Sequence, residues 1–480
     1  MLDFKLKEYG SNVRTEIIAG LTMFAAMAYI IPVNMSILSD QGALQDKGIP
    51  AGAVILATCI AAGVGSLLMG LWANVPYGMA PGMGLNAFFT FTVVMGLGFT
   101  WKQALAMVFL SGVIDLIVTA TGIRKHIVAS LPKALRSAMG VGIGLFIAYI
   151  GIKDAGLLQF TSDPGNYLAL GPGDPANTTI IANANAVPAL VAIKGTALIL
   201  AVVAIIVTIV LFVMKVPGAI LISIILMTIV ASFFGMVHMD WTTYFNSLGS
   251  SFGQLGHVFG QSVLAIPSLF SDPGRIILAI ATIFAFAMTG LFDELGTSLG
   301  LGRATGIFSE QEIDDVAKVH GFKTRFARSL VPPSIATMFG SLFGTSNTTT
   351  YVESSTGIAA GGKTGLTAVT TAALFLLSIA FAPLAMAVPP LATAPALIMV
   401  GALMIRPVKE ILWDDPESAI PAFLAIAVMP FAYSITTGIA VGVIFYCIIK
   451  LVRGKVKEIH PVLAIIAVLF LAYFINMAVA

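Results

Sequence analysis

Long apolar stretches recur along the chain from Thr15 almost to Ala480, with short polar connections between them. A hydrocarbon core about 30 Å thick needs roughly 20 apolar residues per helical span, so the pattern predicts a helical protein that crosses a membrane many times. A last apolar stretch, 461–478, could span the membrane or lie on its surface. The fourteen segments before it fall at 15–36, 51–73, 80–97, 101–121, 134–152, 194–214, 217–237, 275–300, 325–344, 352–362, 365–383, 388–405, 418–432 and 434–452.

The fourteen segments divide into two sets of seven. Because seven is odd, a second set that repeats the fold of the first is inverted across the membrane. In each set, two long segments precede a short, interrupted one: GSLLMGLWANVPYGMAPGMG at 65–84 and GSLFGTSNTTTYVESSTGIA at 340–359. These parallel positions predict an all-α polytopic architecture built as a seven-plus-seven inverted repeat.

Glycine, proline, serine and threonine crowd both interrupted stretches. Non-helical backbone at membrane depth is tolerated where it is buried in protein or lines a cavity. We therefore expect strands at about 75–80 and 347–351, each running to mid-membrane and continuing as a half-helix. Pro81 suits the first turn of one half-helix, because its missing N–H has no partner there anyway. Facing half-helix N-termini offer N–H groups to a polar ligand, whereas the alternative is a loop packed at the membrane surface.

Basic residues in the connections indicate the orientation. Lys5, Lys7 and Arg14 favour a cytoplasmic N-terminus, and alternation from there places the polar loop 153–193 outside. The stretch 303–328 falls inside, as a solvated connector or a regulatory segment. The other basic positions expected inside are Arg124, Lys125, Lys133, Arg136, Lys215, Lys363, Arg406, Lys409 and the cluster at 450–457.

Composition narrows the class further. Hydrophobic residues make up 58% of the chain and charged residues 10%, which excludes a set of soluble domains. A net charge of +2 without a long basic run argues against nucleic acid as a partner. Cys59 and Cys447 lie far apart in apolar stretches, as expected of buried side chains. The histidines are not spaced as metal ligands, and the sequence shows no nucleophile with a neighbouring base. We therefore expect no metal site, no resident cofactor and no enzyme activity.

Buried acidic residues in a membrane are rare and usually functional. Glu353 opens the second half-helix, where its carboxylate could accept two N–H groups from a planar ring. Asp293 and Glu294 lie deep enough in a span for a proton to bind and leave with the substrate, and helical neighbours are about 100° apart, so one of them is expected to face the site. Asp115 is a further candidate for the site, or it forms a hydrogen bond between two helices. Asn86 carries both a donor and an acceptor, so it either hydrogen-bonds to the edge of the ring or links two helices.

Four stretches make the sequence resemble the adenine/guanine/hypoxanthine permeases of the nucleobase cation symporter-2 superfamily, with their uracil-permease-like fold. They are AGLTMFAAMAYIIPVNMSIL (19–38), MAPGMGLNAFFTFTVV (79–94), LFDELGTSLG (291–300) and GTSNTTTYVESSTGIAAGGKTGLTAV (344–369). With PALIMVGALM (395–404) and AIPAFLAIAVMPFAYSI (419–435), the likeness extends over essentially the whole chain.

The resemblance implies a core domain and a gate domain that move against each other, with the substrate between them. It also implies that Asn86, Asp293 and Glu353 belong to the substrate or coupling site, with the backbone at Val352 near the ligand. The implied boundaries are 1–121 and 238–383 for the two halves of the core domain, 122–237 and 384–452 for those of the gate domain, and 453–480 for an apolar tail.

Two departures from the family pattern lie in the eighth segment. Family members commonly read FDT-IGT where this chain reads FDELGTS, and they often carry a second acid one turn earlier, at the position of Gly290. Glu294 compensates for that missing acid or is incidental.

The function expected from this reading is secondary active transport. The chain would import hypoxanthine, guanine or adenine across the cell membrane together with a proton, and a large contact between gate domains would suit a homodimer. The alternative is a transporter or exchanger of inorganic or organic anions with the same fold, which would use the half-helix N-termini for the anion. Glu353 argues against that alternative, because a fixed negative charge there repels an anion.

Overall fold

The computed structural model describes residues 4–121, 132–162, 186–237, 244–308 and 324–461, with scattered positions up to 474. Several predicted features therefore lie outside the described residues. These are Arg124 and Lys125, most of the outer loop 153–193, most of the stretch 303–328 and much of the tail 461–478.

The described chain is mostly helical, as the hydropathy pattern predicts. Its α-helices are α1 (Val13–Met27), α2 (Ile30–Leu38), α3 (Ala51–Leu68), α4 (Met83–Ala87), α5 (Trp101–Thr121), α6 (Lys133–Asp154), α7 (Thr196–Val213), α8 (Ala219–Phe233), α9 (Tyr244–Val258), α10 (Gln261–Leu264), α11 (Ile276–Thr305), α12 (Arg325–Ser329), α13 (Pro332–Phe343), α14 (Ser354–Ala359), α15 (Gly365–Leu377), α16 (Ala382–Met386), α17 (Pro390–Met404), α18 (Pro416–Phe431) and α19 (Ile435–Val452). The π-helical segments Met69–Ala73 and Phe88–Gly96 extend α3 and α4.

Eight stretches of the described chain are long and apolar enough to cross a membrane. They are Val13–Leu38, Ala51–Ala73, Trp101–Thr121, Lys133–Asp154, Thr196–Val213, Ile276–Ser298, Gly365–Met386 and Pro390–Glu410. Shorter apolar helices occupy Met83–Gly96, Ala219–Phe233, Pro416–Phe431 and Thr437–Val452. Every one of these helices coincides with a predicted segment, and together they define a multi-pass membrane protein.

The helices pack in two groups. In the first, α13 packs on α3 and α5, α15 packs on α1 and α3, and α11 packs on α5. In the second, α6 packs against α17 and α18, α17 also contacts α7 and α8, and α18 packs against α19. The two interrupted stretches belong with the first group, so that group carries the irregular backbone.

Four short strands interrupt the helices. Strand β1 (Met79–Pro81) pairs antiparallel with β4 (Thr348–Thr350), so that Met79 lies opposite Thr350 and Pro81 opposite Thr348. The two strands thus lie within the stretches that the sequence predicts, although their pairing with each other is new. Strands β2 (Leu158–Ser162) and β3 (Ala186–Leu190) form a second antiparallel pair in the predicted outer loop, an addition to the all-α prediction.

The placement of Pro81 in the first turn of a half-helix is wrong. Pro81 is the last residue of β1, and α4 begins two residues later with Gly82 as its N-cap. A proline at the end of a strand removes no ladder hydrogen bond that a neighbour needs. Gly82 is required there instead, because a Cβ would lie 2.9 Å from the Thr349 hydroxyl oxygen on β4.

A buried carboxylate joins the start of the first helix to a helix near the end of the chain. Glu16 on α1 is fully buried and accepts hydrogen bonds from the backbone N–H groups of Lys363 (3.0 Å) and Thr364 (3.3 Å). The Thr367 hydroxyl donates to the same carboxylate at 2.5 Å. Glu16 therefore caps the positive N-terminus of α15, where a negative charge is favoured.

We expect Glu16→Ala to destabilise the protein by roughly 3 kcal/mol, because the buried Thr364 N–H, the partly buried Lys363 N–H and the Thr367 hydroxyl lose their acceptor. The measurement is the melting temperature of detergent-purified protein. Glu8→Ala is the matched control, since Glu8 is exposed and pairs at 3.0 Å with the exposed Lys5, a type of ion pair that contributes little. Equal melting temperatures for the two variants would contradict the capping role.

Candidate functional site

The paired strands bring the two interrupted stretches together. The ladder extends beyond the strands, because the Tyr351 N–H donates to the Gly78 oxygen (3.0 Å) and the Gly82 N–H donates to the Asn347 oxygen (2.9 Å). The chain then continues as α4 after β1 and as α14 after β4. At six residues, α14 is roughly 9 Å long, too short to cross a membrane alone. Both helices therefore begin beside the strand pair.

Glu353 is the N-cap residue of α14, as the sequence predicts. Its carboxylate accepts a hydrogen bond from the Tyr29 hydroxyl at 2.6 Å. Tyr29 lies at the break between α1 and α2, where Pro32 has no N–H to donate to the carbonyl oxygen of Ala28. The proline thus interrupts the first helix at the level of the site and leaves the tyrosine to hold the carboxylate.

The first turn of α14 offers fewer N–H groups than the sequence suggests. The N–H groups of Ser354, Ser355 and Thr356 donate to the carbonyl oxygens of the residues three positions earlier. These donors are already paired, so the Glu353 carboxylate is the main polar group that this helix end presents.

Asp293 and Glu294 on α11 contact different strand residues. The Glu294 carboxylate accepts from the Thr350 N–H (3.0 Å), the Thr350 hydroxyl (3.0 Å) and the Ser298 hydroxyl (2.7 Å). Asp293 instead interacts with the hydroxyl of Thr349. Neighbouring strand residues point to opposite faces, so the two adjacent carboxyls meet the two faces of β4. Glu294 therefore supports the strand backbone, whereas Asp293 has fewer hydrogen bonds within the described part of the chain.

Asn86 and Val352 lie on the two half-helix ends. Asn86 is fully buried on α4, and its side-chain oxygen accepts a hydrogen bond from the Ser346 hydroxyl. Its amide nitrogen has no hydrogen-bond partner within the described part of the chain. Val352 is 53% exposed although Tyr351 before it is only 6% exposed. The turn into α14 thus opens onto accessible space.

Sequence reasoning missed two tyrosines at this site. Tyr29 holds Glu353, and Tyr351 donates from its hydroxyl to the Pro81 oxygen at 2.5 Å. Tyr351 also lies within electrostatic range of both Asp293 and Glu353. Their sequence signals are weak: one tyrosine lies three residues before a proline inside an apolar stretch, and the other is the last residue of a predicted strand.

Comparison with known proteins agrees with this architecture. Residues 14–441 match the profile of the family described as "Permease family" (Xan_ur_permease). Among curated relatives, guanine/hypoxanthine permease PbuG of Bacillus subtilis is 39% identical over 98% of this chain and 98% of its own length. Adenine permease AdeP of Escherichia coli is 36% identical over 98% of this chain and 94% of its own length.

A solved structure shares the fold at low sequence identity. The transmembrane domain of the cyanobacterium bicarbonate transporter BicA matches with a TM-score of 0.58 at 16% identity, covering 90% of this chain and 97% of that one. Its similarity extends to the fold alone. Fold and site together define a multi-pass membrane permease. The chain belongs to the nucleobase permease family that its sequence resembles.

We expect Glu294→Ala to lower the melting temperature strongly, because the buried Thr350 N–H loses its acceptor at a cost of roughly 1–3 kcal/mol. Glu294→Gln keeps an oxygen for that N–H, and the Ser298 and Thr350 hydroxyls can reorient to accept from the amide. The measurement compares the thermal stability of both variants in detergent. Similar melting temperatures for Ala and Gln would argue against the role of Glu294 in supporting β4.

Proposed function

We propose that this protein is a secondary active transporter that imports purine nucleobases by proton symport across the cell membrane. The observation that carries the proposal is the Glu353 carboxylate, held by Tyr29 at the start of α14 beside the exposed Val352. The names of the relatives, which are guanine/hypoxanthine and adenine permeases, support the purine class.

The chemistry of the site suits a purine ring. A purine carries ring N–H groups on one edge and carbonyl or ring-nitrogen acceptors on another. The Glu353 carboxylate can accept two N–H groups, and the Asn86 amide can donate to an acceptor. A site with such complementary groups rejects analogues that leave a buried polar group unpaired. We assign substrate binding to Glu353, Asn86, Asp293 and the backbone at Val352.

Proton coupling is assigned to the acidic pair on α11. The geometry favours Asp293 over Glu294, because Glu294 already accepts three hydrogen bonds from Thr350 and Ser298. A carboxyl with few protein partners can bind and release a proton at lower cost to the fold. Uptake then couples to protonation of Asp293, with Glu294 holding the strand nearby.

The two helix groups supply the moving parts. In this proposal α1 to α5 and α9 to α15 form the core domain, α6 to α8 and α17 to α19 form the gate domain, and α16 at 382–386 spans their junction. The boundaries follow the ranges 1–121, 122–237, 238–383 and 384–452, in a fourteen-span inverted repeat with a cytoplasmic N-terminus. Relative movement of the two domains exposes the site alternately to each side.

The anion-transporter alternative draws support from the fold that the chain shares with the bicarbonate transporter BicA. A fixed carboxylate at the half-helix N-terminus opposes an anion, and the N–H groups of Ser354, Ser355 and Thr356 are already paired. The purine proposal therefore agrees better with this site.

The first experiment measures uptake of radiolabelled hypoxanthine in proteoliposomes with and without an inward proton gradient. Guanine, adenine, xanthine and uracil serve as competitors. The proposal expects uptake that the gradient drives and that purines block but uracil does not. Correctly inserted protein that takes up no purine would refute it in favour of the anion transporter.

We expect Glu353→Gln to abolish saturable purine binding, because the amide loses half of the acceptor pair and places a donor against the ring N–H. Tyr29→Phe should weaken binding by about tenfold, since it removes one hydrogen bond that orients the carboxylate. Equilibrium binding to purified protein measures both effects, and the exposed Glu8→Gln is the control. Intact binding in Glu353→Gln would show that the site is misassigned.

Asp293→Asn should remove the dependence of purine uptake on the proton gradient, because the amide cannot take up the coupled proton. The ratio of initial uptake rates with and without the gradient measures this dependence. Glu294→Gln provides the comparison on the same helix. A gradient dependence lost in Glu294→Gln and kept in Asp293→Asn would reverse the assignment within the pair.

A further inference from the structure

Helix α9 lies against the ends of the two helices that lead into the strand pair. It packs on α3, and a Cβ on Gly52 in the first turn of α3 would lie 2.5 Å from the Ser251 hydroxyl oxygen. Just after α9, the Gly260 N–H donates to the Leu342 oxygen at 2.9 Å, next to the last residue of α13. Because α3 begins the span Ala51–Ala73, these contacts place α9 at one boundary of the membrane.

The segment that contains α9 carries no formal charge. No Asp, Glu, Lys or Arg occurs between Trp241 and Ser271. Charged side chains prefer exposed positions, so a connection that runs through water normally contains several of them. At 15 residues, α9 is roughly 22 Å long and cannot span a hydrocarbon core about 30 Å thick. The segment therefore differs both from a membrane span and from a loop in water.

The exposed surface of α9 is divided lengthwise into an apolar side and a polar side. Phe245, Phe252 and Phe259 are seven residues apart, close to two helical turns, so they lie along one side. Their side chains are 82%, 50% and 52% exposed. The remaining side is buried against the protein. Exposed polar residues lie roughly 100–140° around the helix axis from Phe245, and they are Asn246, Ser250 and His257.

The phenylalanine side of α9 continues an apolar strip on α13. The Phe259 ring lies 4.9 Å from the Phe343 ring, which in turn lies 4.8 Å from the Phe339 ring. Ile335, one turn before Phe339, is 36% exposed. Residues four positions apart share one side of a helix, so the strip runs along α13 and ends at α9. The phenylalanines of α9 therefore extend a surface that begins on a helix within the membrane.

We propose that α9 is an interfacial helix whose phenylalanine side binds the acyl chains of the surrounding lipid. In such a helix the apolar side lies roughly 5–10 Å into the boundary between head groups and acyl chains, and the polar side stays in water. The exposed phenylalanines, the uncharged segment and the apolar strip from α13 all agree with lipid as the partner. Water as the neighbour would leave a row of aromatic rings unburied.

The lipid contact would hold α9 at a fixed depth in the membrane. Because α9 contacts the start of α3 and the end of α13, it would hold the ends of those two helices as well. Strand β4 begins shortly after α13 ends, so the strand pair would be tied to the membrane boundary through α13. This contact does not depend on which substrate the protein transports.

The test places nitroxide spin labels on the two exposed sides of α9 in protein reconstituted into liposomes. The buried Cys59 and Cys447 are first replaced by alanine, and Phe252→Cys or Ser250→Cys then supplies a single labelling position. Power-saturation EPR compares collisions with oxygen, which concentrates in the bilayer, and with a nickel chelate, which stays in water. We expect oxygen to relax the label at position 252 more than nickel does, and the order to reverse in the matched control at position 250.

A second measurement uses the unmodified protein and keeps the test informative if the cysteine variants do not fold. The liposomes then contain a phospholipid with a photoactivatable carbene precursor on its acyl chain. Mass spectrometry locates the lipid adducts after illumination. We expect adducts on Phe245, Phe252 and Phe259 and none on Ser250 or His257.

Nickel relaxation at position 252 as strong as at position 250 would overturn the proposal, because the phenylalanine side would then face water. A label at position 252 that neither reagent reaches would overturn it as well, in favour of a second protein chain as the occupant. Absence of lipid adducts on the phenylalanines of the unmodified protein would have the same meaning. Purine uptake by the same liposomes reports separately on Glu353, so the failure of one proposal is distinguishable from the failure of the other.

Discussion

The antiparallel pair of β1 and β4 is the constraint on which the site depends. Backbone N–H and C=O groups at membrane depth must find partners within the protein, and a single extended segment leaves one edge unpaired. Here each three-residue strand supplies partners to the other, and Glu294 accepts the Thr350 N–H from the side. Two helices can then start in the interior of the protein with their polar ends close together.

Much of this arrangement can be predicted from the sequence, because it depends on residues that are close together along the chain. Small and polar residues within apolar stretches predict both strands, and hydropathy predicts the helices. The failures concern long-range partners: the pairing of β1 with β4, the role of Tyr29, and Gly82 in place of Pro81 at the helix start each depend on residues hundreds of positions away. Acidic and amide side chains within apolar stretches indicated Asn86, Asp293 and Glu353, and the family resemblance implied the same three residues. The different surroundings of Asp293 and Glu294 depend on contacts with β4 that the sequence does not reveal.

Asp293 and Glu294 show how a helix beside a strand can give two adjacent acids different roles. Neighbouring residues on α11 are rotated by about 100°, and neighbouring residues on β4 point to opposite faces. The Glu294 carboxyl therefore binds the strand backbone, whereas the Asp293 carboxyl has fewer partners within the described chain. Both residues carry a carboxyl group, although the Glu294 side chain is longer by one methylene. Their different partners follow from the register between a helix and a strand of three residues together with that difference in length.

The distance along the chain between the paired strands has a consequence for biosynthesis. Pro81 pairs with Thr348, so more than half of the chain is made between the two partners. At translation rates of roughly 5–20 residues per second, β4 is synthesised tens of seconds after β1, and the edge of β1 lacks its partner strand during that time. The nascent first half must keep that edge in contact with water, with the insertion machinery or with its own helices until β4 arrives. The candidate site beside these strands is thus among the last parts of the protein to form.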